Sequence, residues 1–434
     1  MKKPFILAAA VAGVLAAAAP AVLAQSTAEP ATPSKTPIAP LSSVQLYGLV
    51  DLGINHIRYQ GSGSSTQLVS GIMEGSRIGF RGNEDLGGGW RAIFTLENRL
   101  EADTGATSNR PPSGSQLPDR VSTAAALGLP RALQPVVTGV AASIGSTVGV
   151  NLNNAFFDRQ AYVGLVTPVG AVLAGRQYTP AYEVSAAYDS MHTESSLAAG
   201  QVLALPAGVD IRSSNALQYR IQAAGVTAGV MYALGEAAGS NRPNRLWGAM
   251  GMYKNDIFSI GAGYNTRNNE QGNKSLTTSL IGASAKVGPG TISTFVGKIK
   301  DDNPTGLSGI ATGLASVVPA ATAAAVQSAF VRAFRQDGQL FHLGYRLEVT
   351  PANTVTVAYT RYNDKRPSNA DVASYGVAYT YALSKRTDLN AVATHFNNKN
   401  LAQASPGQAG FGGGVARIAG QDSNSFAFGI RHRF

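Results

Sequence analysis

Residues 76–97 read SRIGFRGNEDLGGGWRAIFTLE and hold two alternating segments joined by a glycine-rich turn. Ile78 and Phe80 fall on one side of the first segment and Arg77 and Arg81 on the other, because successive side chains of a strand point to opposite faces. The second segment, WRAIFTLE, alternates in the same way. The stretch therefore predicts an antiparallel hairpin with one apolar and one polar face.

Segments of about ten alternating residues, separated by turn residues, recur from Val44 to Phe434. We count sixteen predicted strands, with short turns on one side and several long connections on the other. No stretch after residue 24 reaches the roughly 18 consecutive apolar residues of a membrane helix. An even number of strands with this loop pattern is typical of outer-membrane barrels. The predicted fold class is all-β, a sixteen-stranded antiparallel transmembrane β-barrel over residues 44–434.

The final residues, SFAFGIRHRF (425–434), show the same alternation. Phe426, Phe428 and Ile430 share one face, which we expect to meet lipid, while Arg431 lies on the face expected to line the lumen. Docking of this strand to the first strand would close the barrel and leave no open edge.

The N-terminus predicts export. Lys2 and Lys3 precede an apolar run, and small residues follow Pro20, which is the pattern of a secretory signal peptide cleaved after Ala24. Residues 25–43 contain four prolines among small polar residues and predict an extended linker.

Charge and histidine content exclude several function classes. Removing residues 1–24 takes away two lysines and no acid, so the formal charge falls from +10 to +8. The chain lacks the dense basic runs of a nucleic-acid-binding protein, and it contains no cysteine for disulfides. The five histidines have no catalytic or metal-binding spacing, so we expect no enzyme, metal or cofactor. These histidines are His56, His192, His342, His395 and His432.

Residues 156–194 predict the working part of the channel. Two short strands meet at a turn at Thr167-Pro168, and a polar, aromatic-rich segment with three carboxylates follows them. In a barrel this arrangement predicts arginines on the wall and an acidic loop folded across the opening. Tyr178, Tyr182 and Tyr188 in that loop also leave open a sugar-specific channel.

The arginines have structural alternatives. Arg77 and Arg81 could pair with Glu84, Asp85 or Glu97 and fix strand register. Another arginine in the stretch, Arg159, shares parity with apolar residues, so alternation alone sends it to lipid or to a subunit interface unless the inward loop covers it.

Two insertions, 105–154 and 301–335, fall where long extracellular loops are expected. The alanine-rich residues 320–334 of the second predict a short helix. Each insertion is interpreted as a barrel-capping loop without specific function, as a contact with a neighbouring subunit, or as a partial lid.

Six segments together resemble the trimeric general porins of Gram-negative bacteria, and most closely the betaproteobacterial branch. They are SSVQLYGLVDLG (42–53), SRIGFRGNEDLGGGWRAIFTLE (76–97), FFDRQAYVGL (156–165), GRQYTPAYE (175–183), YALSKRTDLN (381–390) and GIRHRF (429–434). They occur in the family's order from the first strand to the last, although the two insertions depart from its pattern.

The resemblance implies a homotrimer of sixteen-stranded barrels, each narrowed by an inward-folded third loop. It places Arg77, Arg159 and Arg212 on the basic side of the constriction, with Asp189 and Glu194 at acidic loop positions. The full set of residues expected at the constriction is Arg77, Arg81, Arg159, Arg176, Arg212, Glu183, Asp189 and Glu194.

The expected function is a general diffusion porin of the outer membrane, weakly anion-selective, for small hydrophilic solutes and ions. The alternatives are a substrate-specific channel for an anion or a sugar, a barrel enzyme, and an adhesin or anchor. Expected partners are two further copies of the chain, outer-membrane lipid and lipopolysaccharide, and the barrel-assembly machinery through the strand that ends at Phe434.

Overall fold

The computed structural model describes residues 43–61, 63–110, 113–192, 210–406 and 414–434 of the chain. The predicted signal peptide, the predicted linker up to residue 42, and Glu194 lie outside these residues and stay predictions. Within the described ranges no helix is long and apolar enough to span a membrane, a result that does not concern strands.

The described residues form nineteen strands, four α-helices and two 3-10 turns. The strands are β1 Ser43–Tyr59, β2 Gly63–Ser70, β3 Arg77–Gly87, β4 Trp90–Arg99, β5 Gln160–Thr167, β6 Gly170–Tyr178, β7 Arg212–Ala223, β8 Val226–Ala233, β9 Leu246–Lys254, β10 Phe258–Asn268, β11 Lys274–Val287, β12 Gly290–Asp301, β13 Gln336–Thr350, β14 Asn353–Asp364, β15 Val372–Ala382, β16 Thr387–Asn398, β17 Ala404–Ser405, β18 Gly414–Val415 and β19 Ser423–Arg433. The helices are α1 Gln134–Ser146, α2 Pro180–Tyr188, α3 Ile310–Gly313 and α4 Ala320–Phe334, and the 3-10 turns are Asp119–Val121 and Arg131–Leu133.

All strands except the small β17–β18 pair belong to one closed antiparallel sheet. The long strand β1 pairs with β19 on one side and with both β2 and β3 on the other. Because β2 and β3 occupy successive halves of the same position, they form one wall strand interrupted at residues 71–76. The described wall therefore has sixteen strand positions, as predicted, although the sequence reasoning missed β2.

Side chains alternate across the wall as predicted. On β19, Phe426 and Phe428 are 54% and 53% exposed on the outer face, whereas Ala427 and Arg431 are buried toward the interior. This parity gives the barrel an apolar outer surface and a polar inner surface.

The two rims differ. Turns of two to four residues connect strands at one end, the short-turn rim, whereas the other end, the long-loop rim, carries the loops 100–159, 179–211, 302–335 and 399–422. Both insertions lie on the long-loop rim. The predicted helix 320–334 is confirmed as α4, and the first insertion contains a helix, α1, that the sequence reasoning did not predict.

Helix α2 lies inside the barrel, against strands β8 to β12. Pro180 occupies its first turn, where the missing N–H costs no hydrogen bond. Its buried residue Ala181 rests on Gly263, because a Cβ on Gly263 would come within 2.9 Å of the Ala181 Cα. Its last residue, Tyr188, rests on Gly282 in the same way, at 2.2 Å from an added Cβ. Glycines on the inner face therefore let the helix lie flat on the wall.

We predict that Gly263→Val displaces α2 from the wall toward the pore axis. Overpacking of this kind costs about 1–3 kcal/mol of stability, and the narrower opening should lower single-channel conductance. Gly251→Val is the matched control on the neighbouring strand, because nothing lies within 4 Å of a Cβ added there. Equal conductance and equal unfolding temperature in the two variants would contradict this prediction.

Candidate pore constriction

The third loop of the long-loop rim folds inward over its described residues 179–192, as predicted. After α2, the backbone N–H of Ser190 donates to His342 Nε2 of β13 at 3.1 Å. Met191 then reaches β15, where a Cβ on Gly376 would lie 2.8 Å from its Cε. The described part of the loop, residues 179–192, therefore runs along the inner wall from β6 to β15 and narrows the opening.

Asp189 lies at the end of α2, on the inward loop. Its side chain is 4% exposed, and its Oδ1 accepts the backbone N–H of Met191 at 3.0 Å. The same oxygen lies 3.8 Å from Nε2 of the buried His342. The carboxylate therefore holds the end of the loop against the wall, and its expected role as an acidic group of the constriction stays a prediction.

Arg159 lies inside the wall and is fully buried. Its Nε donates to Glu97 Oε1 at 2.7 Å, and Glu97 Oε2 accepts the Tyr47 hydroxyl at 3.1 Å. Because Arg159 precedes the first residue of β5, it does not follow the strand's parity, and the alternative that sends it to lipid or to a subunit interface is excluded.

Tyr178 links two arginines. Its hydroxyl accepts hydrogen bonds from Arg159 Nη2 and from Arg212 Nη2, each at 3.1 Å. The guanidinium carbon of Arg212 also lies 4.7 Å from the centre of the Tyr178 ring, which is within cation–π range. Arg159 and Arg212, which are distant in sequence, therefore come together on one neutral side chain, and their expected place on the basic side of the constriction stays a prediction.

The interruption between β2 and β3, residues 71–76, forms an inward bulge. The Gly71 backbone N–H donates to the Asp51 backbone oxygen at 2.6 Å. The buried carboxylate of Asp51 accepts the next three N–H groups, from Ile72, Met73 and Glu74, at 2.8–2.9 Å. Hydrogen bonds that backbone N–H groups donate to a charged carboxylate are a strong way to satisfy such buried donors. The bulge fixes Glu74 beside the arginines, and Arg77 Nη2 lies 3.3 Å from Glu74 Oε1.

A second ionic cluster continues this side of the wall. Arg431 Nη1 lies 2.7 Å from Glu74 Oε2, and Arg433 Nη2 lies 3.1 Å from the same oxygen. Both arginines also pair with Asp388, at 3.1 Å and 2.8 Å. Arg77 is thus the end of a mixed network in which carboxylates offset much of the basic charge.

Arg81 and Arg176 lie apart from this network. Arg81 is exposed nearer the short-turn rim, where its Nε donates to Gln45 Oε1 at 2.9 Å. Arg176 is register-paired with Ala161, which has the parity of the exposed Val163. Its Nε donates to the Asp158 backbone carbonyl at 2.5 Å and its Nη1 to Ser214 Oγ at 2.9 Å. Arg176 lies close enough to Arg212 and Arg99 for mutual repulsion, and its expected place in the pore lining stays a prediction.

Glu183 meets an arginine that the sequence reasoning did not select. In the first turn of α2, its Oε2 lies 2.6 Å from Arg220 Nη1 of β7. Burial raises the pKa of the Glu183 carboxyl, and the Arg220 guanidinium opposes that rise. The wall therefore supplies a cationic partner for Glu183.

Two further ionic residues were missed. Arg99 is buried and pairs with Asp158, with 3.2 Å between Arg99 Nε and Asp158 Oδ2. Arg99 also lies close enough to Arg159 and Arg212 for mutual repulsion. The signal was present in the sequence, since Arg99 falls on the same face of β4 as Glu97, and Asp158 directly precedes Arg159.

We predict that Arg159→Met destabilises the folded barrel by about 3–5 kcal/mol, because it removes the cation that lies 2.7 Å from the buried Glu97 carboxylate. Adding Glu97→Gln should recover part of this loss, since the amide carries no charge. Urea unfolding in lipid vesicles measures both changes. Arg81→Met is the control and should stay within about 0.5 kcal/mol of the parent, because Arg81 is exposed. If Arg159→Met alone is as stable as Arg81→Met, the structural role of Arg159 is contradicted.

Comparisons with known proteins agree with this geometry. A family model described as Gram-negative porin matches residues 8–401. The chain is 35% identical over 78 residues to an outer membrane porin protein of Bordetella pertussis, and 41% identical over 68 residues to outer membrane porin protein 32 of Delftia acidovorans. These matches cover 15% of this chain and 20% and 19% of the two relatives, so the chain spans about a fifth of the length of the curated relatives it matches.

Solved structures extend the likeness over the whole fold. An anion-selective porin from Comamonas acidovorans superimposes with a TM-score of 0.64 at 23% identity, and the match covers 91% of this chain and 100% of that one. The trimer form of OmpT from Vibrio cholerae gives a TM-score of 0.54 at 13% identity, covering 91% and 99%. Together with the matching family model, the closed barrel and its inward loop show that the chain belongs to the Gram-negative porin family.

Proposed function

We propose that this protein is a passive, water-filled diffusion channel of the outer membrane for small hydrophilic solutes and ions, with a weak preference for anions. The observation that carries the proposal is the arginine-rich inner wall of a closed barrel that an inward loop narrows. Charges placed around such a narrowing bias which ions enter.

The preference for anions is weak because most arginines of the inner wall are paired with carboxylates. Arg159, Arg77 and Arg431 each lie beside a carboxylate of the wall. Arg212 and Arg81 contact tyrosine and glutamine, and neither has a carboxylate partner among the described residues. We infer that Arg212, next to the narrowing, supplies most of the uncompensated positive field, and Arg81 adds to it nearer the short-turn rim.

A general channel fits the aromatic residues better than a sugar-specific one. Tyr178 and Tyr182 stack on each other, with 5.1 Å between their ring centres, and Tyr188 is buried against the wall. Their faces are therefore occupied by protein, whereas sugar recognition would need them open to the lumen.

The assembly is part of the same proposal. A trimeric form is named for one structural neighbour, and we infer a homotrimer in outer-membrane lipid with lipopolysaccharide. The apolar face of the last strand, with Phe426, Phe428 and the terminal Phe434 exposed, supports recognition by the barrel-assembly machinery.

We predict that the wild-type protein, measured in a planar bilayer under a potassium chloride gradient, gives a reversal potential with the sign of an anion-selective pore. Arg212→Ala should move that potential toward cations, because it removes a positive charge that no described carboxylate offsets. Lys298→Ala is the matched control, since it removes one positive charge from an exposed position on the outer face of β12. Clear cation preference of the wild type would overturn the anion claim, and equal shifts in both variants would remove Arg212 from the pore.

Swelling of liposomes in a series of sugars tests the general character of the channel. We predict that permeation falls smoothly with sugar size and shows no saturation with concentration. Uptake that saturates for one sugar, or that ranks sugars against their size, would instead establish a substrate-specific channel.

A further inference from the structure

The two insertions begin at opposite points of the barrel. The first connects β4 to β5 and the second connects β12 to β13. In the order of the sixteen wall positions, eight strands separate the two connections in either direction around the ring. At roughly 4.8 Å between strands tilted by about 40°, a sixteen-stranded ring is roughly 30 Å across. A contact between the insertions therefore has to be made over the opening.

Such a contact exists and it is apolar. Helix α4 of the second insertion touches the 3-10 turn Asp119–Val121 of the first. Residues of both insertions share one hydrophobic core. Its fully or nearly buried members are Leu117, Val121, Ala124, Leu127, Val137 and Ala141 from the first insertion and Leu314, Ala323, Val326, Ala329 and Phe330 from the second.

A third loop is tied to the same structure. The loop between β16 and β19 offers the Gln403 side-chain oxygen to the backbone N–H of Asp119, and the backbone N–H of Ala419 donates to Asp119 Oδ2 at 3.2 Å. The backbone N–H of Val415 also donates to Ser113 Oγ at 3.1 Å. The first insertion is thus anchored to two other sides of the rim. We name residues 113–157 and 302–335 the cap.

The cap differs in chemistry from the constriction below it. Charged side chains are sparse in the cap's sequence and comprise Asp119, Arg120, Arg131, Asp302, Arg332 and Arg335. The remainder is largely alanine, glycine, serine, threonine and valine. Such a surface discriminates by the width of its openings, whereas the ionic network around Arg159 acts through charge.

We propose that the cap is a second, size-selecting filter at the mouth, in series with the charged constriction and held across the pore by its apolar core. This inference rests on the proposed channel function. The size limit depends on the buried residues that join the two insertions, chiefly Val326 and Phe330 of α4. Loosening those contacts should widen the entrance without altering ion preference.

The test compares Val326→Asp with Ala325→Asp. The two substitutions add the same charge to adjacent residues of α4, but Val326 is fully buried in the cap core and Ala325 is exposed. In liposome swelling, Val326→Asp should raise the uptake of the largest sugars several-fold over wild type and leave that of the smallest nearly unchanged. Ala325→Asp should behave as wild type, and the reversal potential should stay the same in all three proteins.

Phe330→Ala provides a second, uncharged loosening of the same core, so the result does not depend on Val326→Asp folding. Equal sugar-size limits for wild type, Val326→Asp and Phe330→Ala would overturn the filter. Loss of trimer stability with an unchanged size limit would also overturn it and would assign the insertions to subunit contact. If the wild-type protein forms no pore, the proposed function fails, whereas pores whose size limit ignores the core substitutions refute the cap alone.

Discussion

Closure of the sheet is the constraint on which the structure depends. Strand β1 pairs with β19 over eleven residue positions, from Leu49 opposite Arg433 to Tyr59 opposite Ser423. In lipid an unpaired backbone group costs several kcal/mol, and only a closed ring satisfies every strand. Closure fixes the register, and the register fixes parity, so it determines which side chains face the lumen. The ionic network and the seat of α2 both follow from that assignment.

Inward charges create a second requirement, because a charge buried in the wall is stable only with a partner. Each region of the inner wall supplies such partners from different residues. Glu97 receives Arg159, and Asp388 receives Arg431 and Arg433. The pairing that stabilises the wall also removes most of its net field. We therefore infer that selectivity depends on a small number of uncompensated groups, among them Arg212.

The wall could be predicted from the sequence because a period of two is a local signal that each strand carries by itself. Several of the pairings could not, because one partner comes from a segment that breaks this period. Glu74 acts from a bulge, and Asp189 acts from the end of a helix that turns its carboxylate toward His342. Helix α1 was missed because its two glycines, its two serines and Thr138 weaken the helical signal.

The separation of the cap from the ionic network has a physical consequence for transport. At physiological ionic strength the Debye length is roughly 8 Å, so fixed charges act only on ions that are already close to them. A charged cap would create its own field at the entrance and compete with the field of Arg212 deeper in the channel. A cap with few charges leaves the field of Arg212 unopposed. Solutes can then be selected by size at the cap and by charge at the constriction, and a substitution can alter one kind of selection without altering the other.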